Sequence, residues 1–257
     1  YDQQHGVRLL DYLDAHIYPQ AEGIFSPNLG DPATQALRLR STRALWDPSY
    51  VDESWIGQPV YMIPRMRTWV EANYPGTRLA LTEYNWGALG YLNGALAEAD
   101  LLGIFGREGL DLATLWDPPS ADQPGAFAFR IYRNYDGAGS HFGDTSISAA
   151  STDQDRLAVY AAQRADDVVT AVVINKTAAP LTSEVTLSNV PAAPAAQVYR
   201  YGAAALDAIV RQANQPLGPT GFTATFPAES ITLFVVRPGL TLYSIYLPLI
   251  VRADLYP

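Results

Sequence analysis

One short stretch, residues 79–87, limits what this chain can fold into. It opens with the apolar run Leu79-Ala80-Leu81 and reaches Glu83 two residues later. A continuous apolar run is typical of a strand that is buried on both faces, as in a parallel sheet. A carboxylate at the end of such a strand lies where parallel barrels present catalytic side chains. The alternative is a strand that ends in a solvated glutamate, which is the commoner arrangement for an isolated Glu.

Two aromatic residues beside this carboxylate favour a binding site. Tyr84 and Trp86 bring flat apolar rings next to the charge of Glu83, and Asn85 adds an amide. Sugar rings have apolar C–H faces that pack on aromatic rings, and their hydroxyl groups need polar partners. We therefore predict a sugar-binding cleft at this end of the strand.

The first 142 residues alternate between strand and helix patterns, an order that is typical of parallel βα units. Strands are predicted around residues 12, 80 and 114, and helices over 60–74 and 91–105. On the helix over 60–74, Trp69 shares an apolar stripe with Met66 and Val70, so we expect Trp69 in the core.

Residues 20–58 are predicted to be a long connection, which is usually functional or disordered. Trp46 and Trp55 lie in it. It forms either a wall of the cleft or a loop packed on itself.

Three further residues are placed near strand ends. His16 and Tyr18 are two positions apart at the end of the first strand, so their side chains face the same side. Trp116 ends the third strand in the place equivalent to Glu83. The alternatives are a hydrogen-bonded core histidine at 16 and a core cap at 116.

After about residue 143 the sequence changes to short alternating runs. These predict an antiparallel β-sandwich over 143–239, with strands at 145–149, 157–163, 168–175, 183–187, 197–201, 222–226 and 231–236. Asp166 and Asp167 predict a hairpin turn between two of them. The apolar tail, 240–257, is too short to span a bilayer. It is either an added strand, which we favour, or a sorting tail.

The charge and residue counts exclude several classes. A net charge of −9 disfavours nucleic acid and anionic membranes as partners. The chain has no cysteine, so it has neither disulfides nor a thiolate metal site. No Gly-x-Ser-x-Gly elbow is present, and the three histidines lack paired metal spacing.

The motif TEYNWG at 82–87 resembles the nucleophile motif of glycoside hydrolase family 44, which comprises endoglucanases and xyloglucanases. Five other segments agree in the same order, and the resemblance runs from about residue 9 to about residue 236. These segments are DYLDAHIYPQ at 11–20, STRALWDP at 41–48, VDESWI at 51–56, GIFGREGL at 103–110 and FAFRIYRNY at 127–135.

The resemblance implies the C-terminal part of a (β/α)8 barrel over 1–142, followed by the sandwich. It implies a secreted, bacterial-type enzyme that hydrolyses β-1,4-glucans such as cellulose, carboxymethylcellulose or xyloglucan with retention of configuration. Glu83 takes the nucleophile role. The substrate-binding residues would be His16, Tyr18, Trp46, Trp55, Tyr84, Asn85, Trp86 and Trp116. No cofactor is required; a structural calcium ion is compatible with the resemblance, but the sequence names no ligands for it.

A second catalytic carboxylate is missing from the pattern. The family's acid/base lies on an earlier strand in an Asn-Glu-Pro context, which this chain lacks. Glu53 and Asp117 lie in loops without that context, so we assign no acid/base. We therefore expect an N-terminal half of the same enzyme to supply it. The alternatives are a non-hydrolytic glycan-binding protein, a half-barrel active only with a partner chain, and an open sheet that folds alone.

Overall fold

The structure, a computed structural model, describes residues 2–190 and 193–238. Its first part contains a parallel sheet of three strands in the order β1-β2-β3, which confirms the predicted parallel strands. The strands are β1 Tyr12–Ile17, β2 Arg78–Tyr84 and β3 Leu112–Leu115. The helices are α1 Asp2–His5, α2 Pro32–Ser41 with a following 3-10 turn Thr42–Leu45, α3 Met62–Asn73, α4 Leu92–Glu108 and α5 Pro124–Arg133.

The second part is antiparallel. A six-stranded sheet has the order β4-β5-β6-β11-β8-β9, and β10 pairs with β7 in a second sheet. Phe222 on β10 contacts Phe234 on β11, with ring centroids 4.9 Å apart, so the two sheets share apolar contacts. The strands are β4 Thr145–Ile147, β5 Leu157–Gln163, β6 Val169–Asn175, β7 Leu181–Thr186, β8 Ala195–Gly202, β9 Ala205–Pro216, β10 Gly221–Phe226 and β11 Ser230–Val236.

Helix α4 lies at the centre of the described fold. Its residues are apolar on nearly every face, which is typical of a helix buried all round. It contacts α2 and α5 on the parallel side and β5, β6 and β11 on the antiparallel side. Gly103 permits the approach to β5, because a Cβ there would lie 2.2 Å from the Tyr160 ring. Both parts therefore pack on one helix.

A buried polar cluster joins the two parts. Asp100 on α4 accepts hydrogen bonds from Lys176 Nζ, the Thr42 hydroxyl and the Tyr160 hydroxyl, each at 2.7 Å. Asp100 and Lys176 are both buried. One cluster of buried apolar side chains also contains residues of both parts, among them Leu81 on β2 and Val235 on β11. The division into ranges 1–142 and 143–239 stays a prediction.

Several sequence expectations need correction. Residues 20–58 contain a helix, α2, which begins at an Asp31 side chain that accepts the Thr34 N–H at 2.8 Å. Strand β9 was missed because this edge strand pairs only with β8, its residues are mostly exposed, and they do not alternate between apolar and polar. Trp69 is 50% exposed, since the buried stripe of α3 is narrower and runs through Ile63, Met66 and Val70. The apolar tail over 240–257 lies outside the described residues.

Candidate active site

Glu83 lies at the carboxyl end of β2, where β1 and its extension supply one hydrogen-bonding partner, Tyr18, and one ion-pair contact, His16. The parallel register sets His16 beside Glu83, after an irregularity between Ala15 and His16. The Tyr18 hydroxyl donates to Glu83 Oε2 at 2.9 Å, and His16 Nδ1 lies 3.3 Å from the same oxygen. No described residue hydrogen-bonds Glu83 Oε1. One oxygen of the carboxylate is thus held, and the other is left free.

Tyr18 is a firm hydrogen-bond donor in this arrangement. Burial, followed by its hydrogen bond to Glu83 and the charge of Glu83, raises the pKa of the Tyr18 hydroxyl. It therefore keeps its proton over the neutral range and donates to the carboxylate. Its ring also packs edge-on against Phe25, with centroids 5.6 Å apart.

A second set of polar contacts lies one step down the strands. The Thr82 hydroxyl donates to Asp14 Oδ2 at 2.6 Å, and the Thr82 N–H donates to Asp14 Oδ1 at 3.0 Å. His16 Nε2 lies 3.2 Å from the same Thr82 hydroxyl. The side-chain hydrogen bond from Thr82 is the main cause that lowers the pKa of Asp14, so this carboxylate is ionised at neutral pH.

Two tryptophans predicted to contact substrate are exposed at this edge. Trp116 follows β3, and its side chain is largely exposed, at 63%. Its backbone N–H donates to the Tyr84 carbonyl. Trp55 is 81% exposed and hydrogen-bonds Gln20, which in turn donates to the Tyr18 carbonyl. Large aromatic rings exposed beside a carboxylate give a sugar apolar faces on which to pack.

Phe25 was missed by the sequence analysis. It is 48% exposed and lies against Tyr18, on the same edge of the sheet. A single Phe in a long connection carries no pattern of its own. Its position depends on how the loop folds back, which only the structure shows.

The loop that bears Phe25 is held by Arg38, a buried residue of α2. Arg38 Nε donates to the carbonyls of Ile24 and Trp86, both at 2.9 Å, and Nη1 donates to Leu29 and to Asn93 Oδ1. Burial lowers the pKa of Arg38 to about 10, so it remains charged at neutral pH. These bonds fasten the loop to the chain that follows β2.

Tyr84 and Trp86 are core residues, which corrects their predicted role as sugar contacts. Each is about 1% exposed. The Tyr84 hydroxyl donates to Glu98 at 2.7 Å, and Trp86 Nε1 donates to the Ser41 hydroxyl at 3.0 Å. Their side chains point into the helical layer, so their rings are covered by α2 and α4.

Asn85 also differs from expectation, and Trp46 packs against a helix. Asn85 is buried and its Oδ1 accepts the Gly87 N–H at 2.6 Å, so this oxygen shapes the turn and is not free for a sugar hydroxyl. The Trp46 ring packs on the guanidinium of Arg107, 4.3 Å from the ring centroid. Trp46 thus packs on α4 against the apolar core. Its contact with substrate stays a prediction.

Glu53, the acidic candidate in the long connection, is bound elsewhere. Arg40 binds both oxygens of Glu53 at 2.6 Å, and these hydrogen bonds are the main cause that lowers the Glu53 pKa.

Within the described ranges, no group of three or more His, Cys, Asp or Glu side chains is arranged to hold a metal ion. The structural calcium ion stays a prediction without named ligands. No described helix has the length and apolar character to cross a membrane.

Endoglucanases are among the known proteins that resemble this chain. No family model matches the chain. Endoglucanase A of Paenibacillus lautus is 33% identical over 249 residues, which are 93% of this chain and 36% of that protein.

Two solved structures are also similar. CelM2, a bifunctional glucanase-xylanase from a metagenome library, has a TM-score of 0.88 and 44% identity over 93% of this chain and 46% of its own. A Paenibacillus polymyxa xyloglucanase of glycoside hydrolase family 44, solved with xyloglucan, has a TM-score of 0.85 and 32% identity over 93% of this chain and 49% of its own. The chain spans about a third to a half of the length of these relatives. It belongs to glycoside hydrolase family 44.

Proposed function

We propose that this chain supplies the nucleophile side of a retaining endo-β-1,4-glucanase, with cellulose, carboxymethylcellulose or xyloglucan-type polysaccharides as substrates. One observation carries the proposal: Glu83, at the carboxyl end of a parallel strand, has Oε2 hydrogen-bonded by Tyr18 and in contact with His16, while no described residue hydrogen-bonds Oε1. Because a polymeric glucan substrate lies outside the cell, we extend the proposal to an extracellular enzyme. We also propose that it needs no cofactor.

The geometry suits a two-step displacement. In the first step, Glu83 Oε1 attacks the anomeric carbon, the glycosidic bond breaks, and the leaving oxygen takes a proton from an acid. In the second step, water deprotonated by the same group attacks the anomeric carbon and releases Glu83. The Tyr18 hydroxyl keeps donating to Oε2 through both steps, and it stabilises the carboxylate when the ester bond breaks.

The acid/base is proposed to come from outside this chain. Asp14, the other carboxylate of the cluster, is bound to Thr82 and ionised, so it is unsuited to protonate a leaving group. In the structure the outer edge of β1 pairs with no described strand. Leu9, Leu10 and Leu112 are 40–59% exposed around the sheet. A barrel completed by an N-terminal half of the enzyme would cover these residues and bring the second carboxylate.

The nucleophile assignment predicts covalent labelling of Glu83. A 2-fluoro cello-oligosaccharide with a good leaving group should form an adduct that mass spectrometry locates on the peptide containing Glu83, because the fluorine slows hydrolysis of the ester. Glu83→Gln should abolish both labelling and turnover. Glu53→Gln serves as the control and should label normally. An adduct on another carboxylate would disprove the assignment.

A further inference from the structure

The loop between β1 and α2 presents one aromatic ring beside the nucleophile. Phe25 is 48% exposed, and its ring packs edge-on against Tyr18 with the centroids 5.6 Å apart. The Tyr18 hydroxyl in turn donates to Glu83 Oε2 at 2.9 Å. Loops that follow the carboxyl ends of parallel strands form the cleft of a barrel enzyme. Phe25 is therefore separated from Glu83 by one residue, Tyr18, on a loop of the kind that binds substrate.

A buried arginine fixes the shape of this loop. Arg38 is fully buried, and its guanidinium donates to four carbonyl groups of the loop at 2.9–3.4 Å. These belong to Gly23, Ile24, Asn28 and Leu29. Its other acceptors are the Trp86 carbonyl and Asn93 Oδ1. Among the described residues, Arg38 thus hydrogen-bonds carbonyl and amide oxygens and no carboxylate.

This set of acceptors makes the position of the loop costly to change. A buried charge is stable only while its hydrogen-bond partners stay in place. No described carboxylate takes over when the loop carbonyls leave, so a displaced loop would leave the guanidinium of Arg38 without most of its acceptors. The exposure of Phe25 is therefore a property of a loop that is held in place.

The same loop packs on the chain that follows Glu83. Gly87 has a φ of 73°, and a Cβ there would lie 2.6 Å from the carbonyl carbon of Phe25. The Ala88 N–H donates to the Ser26 carbonyl at 2.8 Å. The backbone on both sides of the Phe25 side chain is thus set against the segment that carries the nucleophile.

We propose that Phe25 is a sugar-contacting residue of the cleft and that Arg38 is the residue that positions it. The Phe25 ring has no polar atom, so it offers only a flat apolar surface, which suits the C–H face of a sugar ring. Trp55 and Trp116 are exposed at the same edge of the sheet. This inference rests on the proposed function, because it takes the ligand to be a β-1,4-glucan.

Variants of Phe25 test the contact by calorimetric titration of the purified chain with a xyloglucan oligosaccharide. Phe25→Ala should weaken binding roughly 5- to 100-fold, by analogy with stacking of flat ligands on aromatics. Phe25→Tyr keeps the flat ring and should bind like the parent. Phe25→Leu keeps an apolar side chain without a flat face and should bind like Phe25→Ala. Leu206→Ala, at a similarly exposed apolar position on β9, is the control and should leave binding unchanged.

A double-mutant cycle tests the positioning role of Arg38. The ammonium of Arg38→Lys keeps the charge but cannot span the four loop carbonyls, so this variant should weaken oligosaccharide binding. In the Phe25→Ala background it should weaken binding no further, because the loop then has no ring to position. Where Arg38→Lys does not fold, Asn93→Ala removes one acceptor of the same guanidinium and gives the same comparison. Equal losses in both backgrounds would overturn the positioning role.

The outcomes separate this inference from the proposed function. Unchanged binding in Phe25→Ala, while Trp116→Ala weakens it, would overturn the inference alone. So would weaker association of Phe25→Ala with an N-terminal half at unchanged oligosaccharide binding, because that half would then cover the ring. Ring-dependent binding without turnover or Glu83 labelling in any form would support the inference and count against the proposed function. Absence of oligosaccharide binding, by the chain alone and with the N-terminal half, would overturn both.

Discussion

The aromatic residues near Glu83 divide into exposed rings and buried rings, and truncation should separate them. Trp55 and Trp116 are largely exposed, so Trp→Ala at either position should weaken binding of a xyloglucan oligosaccharide by roughly 1–3 kcal/mol, by analogy with stacking of flat ligands on aromatics. Trp86 is about 1% exposed, so Trp86→Ala should instead lower the free energy of unfolding by about 3–5 kcal/mol. Calorimetric titration and denaturant unfolding measure the two quantities.

Trp69→Ala is the matched control for both measurements. Its side chain is half exposed on α3 and forms no part of the proposed site, so it should bind oligosaccharide like the parent. It should also cost less stability than Trp86→Ala. Oligosaccharide binding that is unaffected by both Trp55→Ala and Trp116→Ala would contradict the proposed sugar contacts.

The sequence predicted which polar residues meet at the strand ends. It did not predict which way each aromatic side chain points. Glu83, His16 and Tyr18 come together because parallel strands end at one edge, which the pattern predicts. Tyr84 and Trp86 turn inward because their hydroxyl and indole N–H find Glu98 and Ser41 in the helical layer. Those partners are distant in sequence, so local spacing does not reveal them.

At the scale of elements, the contact between α4 and β2 predicts a pH effect on stability. Glu98 of α4 accepts the Tyr84 hydroxyl through Oε1, and its buried Oε2 has no partner among the described residues. Burial raises the pKa of Glu98 to about 7 from an ordinary value of 4.5. The folded state therefore holds a proton that the unfolded state releases at lower pH. Stability should fall as pH rises from about 4.5 to about 7.

Glu98→Gln removes this proton linkage while it keeps an acceptor for Tyr84. The difference in unfolding free energy between Glu98→Gln and the parent should shift by roughly 2–3 kcal/mol in favour of Gln between pH 5 and pH 8. Urea unfolding at both pH values measures the shift. Glu71→Gln, at an exposed position on α3, should show no comparable change. A parallel pH dependence in Glu98→Gln and the parent would contradict the prediction.

The elements that the sequence predicted are those whose own residues form a clear local pattern. The strands at 157–163 and 231–236 were recognised because apolar residues dominate them. Helix α2 was missed because its buried face includes Arg38 and Ser41 rather than an apolar stripe. Its start signal, Asp31 before Pro32, is present in the sequence. Strand β9 gains its order from pairing with β8, which a local pattern does not encode.

At the scale of the whole molecule, the proposed division of the active site predicts complementation. The purified 257-residue chain should show no endoglucanase turnover, and joining or co-expressing it with an N-terminal half from a family relative should produce turnover. Reducing-sugar release from xyloglucan measures both. The Glu83→Gln chain with the same N-terminal half is the control and should remain inactive. Turnover by the purified chain alone would contradict a missing acid/base.

The buried cluster at Asp100 has a consequence for how this protein can be recombined. Lys176 follows β6 in the antiparallel part, yet its ammonium group pairs with a carboxylate in the central helix. Cutting the chain after α5 would leave the buried Asp100 carboxylate without its counter-ion. Removing one partner of a buried ion pair lowers the free energy of unfolding by about 3–5 kcal/mol. A chimaera that receives the portion with α4 must therefore also receive the antiparallel portion. The two portions have to be transferred together, although the sequence pattern predicts two separate domains.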